Sequence, residues 1–195
     1  MTGVVDRLMR ASVSIAGRMQ PRKALRQADD AVYSSPLSRE AVETIRSAGR
    51  RLIAAGLGVN GLAVIAWRRS AQRIGVTGEG ADLSALGPGD LSSMLRTDSE
   101  PGSPAVEAVR AGAGAAVWAH PVMLLALGAS GRTPDLGVGP LVSRMGTVGL
   151  AGTGSFDVTV FPGEGVLAVG DDPVDAVSRL EAAERLAAIQ RGVDP

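Results

Sequence analysis

The sequence has no cysteine, one histidine (His120), one lysine (Lys23), one tyrosine (Tyr33) and one asparagine (Asn60). Each scarcity removes chemistry. Without cysteine there is no disulfide, thiolate nucleophile, cysteine-ligated zinc or iron–sulfur cluster. A Ser-His-Asp triad and a multi-histidine metal site would compete for a single imidazole. A Schiff-base lysine would have to be Lys23, which lies in a basic segment. Charge of one sign is also lacking: 20 basic residues balance 20 acidic ones. Zero net charge argues against nucleic acid as the main partner, because phosphate neutralisation needs a basic excess. No uncharged apolar run reaches the roughly 18 residues that suggest a spanning helix. The longest, 111–130, is interrupted by glycines, His120 and Pro121.

What is present fits one domain with an extension. The chain has 195 residues, 45% of them hydrophobic and 21% charged, enough apolar material for a sizeable core. Residues 1–35 form a basic stretch with Arg7, Arg10, Arg18, Arg22, Lys23 and Arg26 against Asp6, Asp29 and Asp30. Val5, Leu8, Met9, Ala16 and Met19 give it an amphipathic, helical reading, as an extension docked on the body or on a neighbouring subunit. No Trp or Phe accompanies the arginines, so a membrane surface is the weaker reading. The apolar stretch 11–17 is too short and too polar for a signal peptide. A cytoplasmic protein is expected, and the Ala, Gly and Arg bias suggests a bacterial source.

Periodicity then places the elements. Ser38 offers an N-cap for a helix to about Ala55, with Val42, Ile45, Leu52 and Ile53 at helical spacing and Gly56 as its stop. Strands are predicted within 58–70 and over 73–77, with a short extended or turn segment at 90–91. Residues 96–104, rich in Asp, Ser, Pro and Gly, form a loop. A helix over 105–112, a small-residue strand over 115–118 and a helix from Val122 follow. The pattern over 128–155 assigns no elements. Strands return at 156–161 and 165–169. Asp172 and Pro173 then start a long helix, as cap and first-turn residue. Residues 56–61 match GxGxxG, but a helix precedes them and a strand follows, the reverse of a dinucleotide fingerprint. Mixed elements without regular βαβ alternation predict an α/β or α+β fold.

Three stretches, in order, resemble the class II aldolase/adducin family, which includes fuculose-phosphate aldolase, ribulose-phosphate epimerase and related dehydratases. Residues 51–57 (RLIAAGL), 74–80 (IGVTGEG) and 82–86 (DLSAL) are similar to the family's opening LxxAGL, GN(I/V)S, ITPTG and LxxL segments. Residues 98–100 (DSE), a helix and 116–121 (AVWAHP) are similar to SSE, helix and VxHTH. Residues 162–170 (PGEGVLAVG) are similar to NHGVLxxG, and the last helix with Glu181 and Glu184 to the family's closing helix.

The resemblance implies a three-layer α/β/α fold over 36–195 with a central mixed, mainly antiparallel sheet. It also implies a homotetramer with its site at a subunit interface, three histidines on a divalent metal (usually zinc), a catalytic glutamate and a phosphate loop. Carried over by position, the metal histidines fall on Trp118, His120 and Glu164, and the glutamate on Glu100. Trp118 has no available lone pair, which leaves His120 and Glu164 as metal ligands and Glu100 as a conceivable third. The phosphate loop falls on 61–66, where apolar residues replace its asparagine and serine, and on Gly78, Glu79 and Gly80, with Ser99 nearby. A carboxylate at Glu79 repels a phosphate dianion.

Two readings result, ahead of a third, metal-dependent aldolase activity itself. One is a degenerate, non-catalytic pseudoenzyme that binds a partner, in a homo-oligomer or with an active paralogue. The other is a repurposed lyase, decarboxylase or isomerase for an unphosphorylated carbonyl metabolite. In that reading His120 and Glu100 are acid/base groups, and Gly78, Glu79, Gly80, Ser99, Trp118 and Glu164 line the pocket.

Overall fold

The computed structural model describes residues 39–192, apart from 59–60, 79, 99 and 135–139. The expected N-terminal extension, Asn60, Glu79 and Ser99 lie outside the described residues.

The first helix, α1 (Arg39–Ala54), buries Ile45, Ala48 and Leu52 on one stripe and ends at Gly56, whose φ of 72° suits glycine. The strand sought within 58–70 is shorter, β1 (Val64–Arg68), because Leu62 remains exposed outside the sheet. β2 (Arg73–Thr77) is as expected, and the short extended segment grows into a full strand, β3 (Leu91–Leu95). Helix α2 (Pro104–Ala111) begins where the Ser103 hydroxyl accepts from the Val106 amide. β4 (Ala115–Ala119) and α3 (Val122–Ala129) follow. The unassigned region holds α4 (Pro140–Met145) and β5 (Val148–Leu150). The chain closes with β6 (Val158–Phe161), β7 (Gly165–Gly170) and α5 (Pro173–Gln190), which Asp172 caps through the Asp175 amide at 2.8 Å.

Seven strands form one sheet in the order β3-β2-β1-β4-β7-β6-β5. Every pairing is antiparallel except β5 with β6. This is the expected mixed, mainly antiparallel α/β sheet with flanking helices. Alternation assigns the strand residues to two cores. Ile65, Trp67, Val117, Ala119, Val166 and Ala168 face α1, α3 and α5. Val64, Ala66, Ala116 and Leu167 face α2, with Trp118 and Phe161 packed among them. Among the described residues, one face therefore carries a thick helical layer, and the other a single eight-residue helix.

Candidate functional site

The register fixes which loops meet. β1 begins, β2 ends, β4 ends and β7 begins at the same edge of the sheet, since Val64 pairs with Trp118, Ala66 with Val76, and Ala119 with Val166. The described positions 61, 78, 80, 118–120 and 164, singled out in the sequence, thus converge at one strand end.

At its centre stands Trp118 rather than a histidine. Its ring lies edge-on to His120, with centroids 5.9 Å apart and planes at 81°, and edge-on to Phe161 at 5.4 Å and 70°. Position 165 must be glycine for this to happen, because a Cβ there would collide with the Trp118 ring. The three-residue turn between β6 and β7 has Gly163 at φ 77°, and the Glu164 amide donates to the Phe161 carbonyl at 3.0 Å. Glu164 therefore sits beside His120 across the strand pair, with an exposed side chain.

His120 is half-buried, and its Nδ1 is shielded from water with no hydrogen-bond partner. Burial lowers its pKa, while the main chain of Glu164 beside it acts in the opposite direction. The imidazole is thus held neutral further into the acid range than a free histidine.

Glu100 is not drawn to this corner. β3 ends at Leu95, opposite Arg73 and so at the other edge of the sheet. The Glu100 carbonyl accepts from Arg110 Nη1 at 2.7 Å, in the last turn of α2. That turn ends at Gly112, whose carbonyl accepts from Arg68 at the far end of β1. Glu100 lies three residues before the helix cap, Ser103.

The two glycine loops do meet. The Gly80 amide donates to the Gly61 carbonyl at 3.1 Å, and the Gly78 amide to the Asp90 carbonyl at 2.7 Å. Both N–H groups are thereby committed to main-chain partners, whereas a phosphate cradle needs such donors free.

A zinc ion does not fit the residues present. Among the described residues no three His, Asp or Glu side chains converge as a metal-holding group. Trp118 offers no lone pair. The pair His120 and Glu164 falls short of the three protein ligands such sites usually supply.

One residue the sequence pattern did not single out for a role supports the corner from behind. Helix α3 starts at Pro121, which has no side-chain group to cap it. Glu184 of α5 takes over: its carboxylate accepts from the Met123 and Leu124 amides, each at 2.8 Å. Burial raises the Glu184 pKa, and the amides of Met123, Leu124 and Val122 oppose that rise. A helix start with proline where a capping side chain belongs was the available signal.

A depression of about 420 Å³ lies elsewhere, between α4 and α5, lined by Arg144, Asp157, Asp175 and Arg179 among others. Asp157 precedes β6, at the sheet edge opposite Phe161 and His120. Burial disfavours its ionisation, but the Thr147 amide and hydroxyl and the Arg179 guanidinium outweigh that and keep its pKa low.

Comparison with known proteins gives the fold. No family model and no curated protein matches the sequence. Among solved structures, the chain is similar to the L-fuculose-1-phosphate aldolase of Thermus thermophilus, with TM-score 0.63 and 19% identity over 78% of this chain and 96% of that one. It is similar to a putative aldolase/epimerase/decarboxylase from Klebsiella pneumoniae, with TM-score 0.63 and 17% identity over 78% and 89% of the two chains. The N-terminal class II aldolase domain of a conserved Thermoplasma acidophilum protein matches at TM-score 0.54 and 15% identity, over 89% of this chain and all of that domain. The architecture is the class II aldolase-like fold. No described helix is long and apolar enough to cross a membrane.

Proposed function

We propose that this class II aldolase-like chain does not run zinc-dependent aldol cleavage of a sugar phosphate and serves as a non-catalytic, partner-binding subunit. It would assemble with further copies of itself or with a paralogue that retains the chemistry. The replacement of a ligating group by Trp118 at the centre of the corner carries this reading. An indole wedged between His120 and Phe161 over Gly165 is packing, with no donor atom for a metal. The committed amides of Gly78 and Gly80 support it from the phosphate side.

A second reading keeps an activity at the same corner. The half-buried imidazole of His120, held neutral further into the acid range, is a group suited to take a proton from an unphosphorylated substrate. Glu164 is the exposed carboxylate beside it. Glu100, tied toward the far end of α2, is a weaker partner in that chemistry than Glu164.

Zinc titration of the full-length protein, followed by calorimetry, tests the first reading. We expect no stoichiometric site that depends on His120. One zinc per chain, lost in His120→Ala, would overturn it. Turnover of an unphosphorylated carbonyl compound that is abolished in His120→Gln without unfolding would instead establish the second reading.

A further inference from the structure

The open depression between α4 and α5 has donors on one wall and acceptors on the other. Its floor is fixed by protein contacts. Arg179 pairs with Asp157, which precedes β6, and at 3.1 Å with Asp175, one turn earlier on α5. The Thr147 amide and hydroxyl hold the second Asp157 oxygen, each at 2.8 Å. Gly146, at φ 70°, lets the end of α4 close on that carboxylate, because a Cβ there would collide with it.

The unengaged groups are sorted by wall. On the α4 side, the Arg144 guanidinium and the Ser143 hydroxyl are exposed and bond to nothing among the described residues. On the α5 side, Asp175 receives Arg179 and the Asp171 amide on Oδ2, which leaves Oδ1 open. The Ser178 hydroxyl donates to the Val174 carbonyl at 2.7 Å and keeps its lone pairs as acceptors. Arg144 and Asp175 line one cavity yet form no ion pair, so a gap separates them. Its volume of about 420 Å³ suits a small molecule.

Charge selects the kind of molecule. A bare anion on Arg144 would face the carboxylates of Asp157 and Asp175, and a bare cation on Asp175 would face two guanidinium groups. A molecule with both charges meets its complement on each wall. Every lining residue is polar or glycine, so a long apolar tail finds nothing to pack on. We propose that this depression binds a small polar zwitterion of the α-amino acid class. Its carboxylate is gripped by the Arg144 guanidinium beside Ser143, and its ammonium donates to Asp175 Oδ1 and the Ser178 hydroxyl. Asp157 leads into β6 at the sheet edge opposite His120, so the site is independent of either reading of that corner.

NMR titration of the full-length protein tests it, with L-serine and L-glutamine as probes and the amides of Ser143, Arg144 and Asp175 as reporters. At least one amino acid should shift these signals saturably. Relatives that lack one charge separate the two walls. 3-Hydroxypropionate and glutaramate lack the ammonium, and ethanolamine and 4-aminobutanamide lack the carboxylate. Each should bind about tenfold or more weakly than its parent, as loss of one charge-assisted contact predicts. Arg144 is exposed and unpaired, so Arg144→Gln should fold as the parent does. It should weaken the amino acid about tenfold and leave the two amines unchanged. Ser178→Ala, on the other wall, should weaken it less. The proposal is overturned if neither amino acid gives saturable shifts at these amides. It is equally overturned if a relative with one charge binds as well as its parent, or if Arg144→Gln binds the amino acid undiminished.

Discussion

The last helix and the corner at the end of β4 are built on opposite principles. Along α5, the charged groups that face other elements find partners. Arg179 pairs with Asp157 and with Asp175, Glu181 receives a forked bond from Arg51 at 2.5–3.0 Å, and Glu184 caps α3. At the corner, His120 Nδ1 lacks a partner, Glu164 is exposed, and the large apolar side chains of Leu62 and Val122 face outward at 46% and 66% exposure. Satisfied polar groups and buried apolar stripes make α5 the structural keystone. Exposed apolar side chains and an unpaired carboxylate mark the corner as the surface on which the proposed partner would pack.

The sharpest way to break this contrast is to weaken each region and compare. Leu180 is fully buried in α5 between the sheet and α1. Leu180→Ala should cost about 2–5 kcal/mol of unfolding free energy. Val122→Ala at the corner should stay within about 0.5 kcal/mol of the parent. Urea denaturation of both variants checks it, and similar losses would remove the distinction between keystone and open surface.

Glu184 links the two regions, and its removal should have the next largest effect. Glu184→Gln replaces a carboxylate that serves two amides, so a loss of about 0.5–2 kcal/mol is expected, as for other caps. Its pKa is raised in the fold, chiefly by burial. A raised acid contributes stability that is complete below the unfolded value and declines as pH rises toward and through the folded one. The advantage of the parent over Glu184→Gln should therefore shrink as pH rises from about 4 through the folded pKa, when urea midpoints are compared across pH. A growing advantage would mean that the amides, rather than burial, dominate.

Much of this architecture was legible in the sequence, for physical reasons. The helical spacing of Ile45 and Leu52, the Asp172-Pro173 start of α5 and the alternation over 156–161 are local signals, and the structure follows them, with the strand itself beginning at Val158. The short β5 was not legible: its three residues gain their strand character from parallel pairing with β6, a non-local bond. The neighbourhood of 61, 78, 80, 120 and 164 was inferred from motif order, and the sheet register brings these positions to one edge. The place of Glu100 was not legible. It depends on the Arg110 side chain ten residues later, which anchors the loop to the other end of α2. The Glu184 cap has no periodic signature either, because it arises where separate elements touch.

The smallest effect expected is also the most informative about the corner. His120→Gln should change stability at pH 7.5 by less than about 1 kcal/mol, since the imidazole is only half-buried and Nδ1 bonds to nothing. Its lowered pKa gives the sign of the pH dependence. A depressed histidine contributes stability above the unfolded value of about 6.5 and loses it as pH falls toward the folded value. Between pH 7.5 and 5 the parent should thus lose ground to His120→Gln in thermal or urea unfolding. The opposite slope would show that the imidazolium is stabilised in the fold, with the neighbouring Glu164 carboxylate as its counter-ion. The corner would then resemble the paired surfaces of α5, and the distinction between the two regions would fail at the residue on which it most depends.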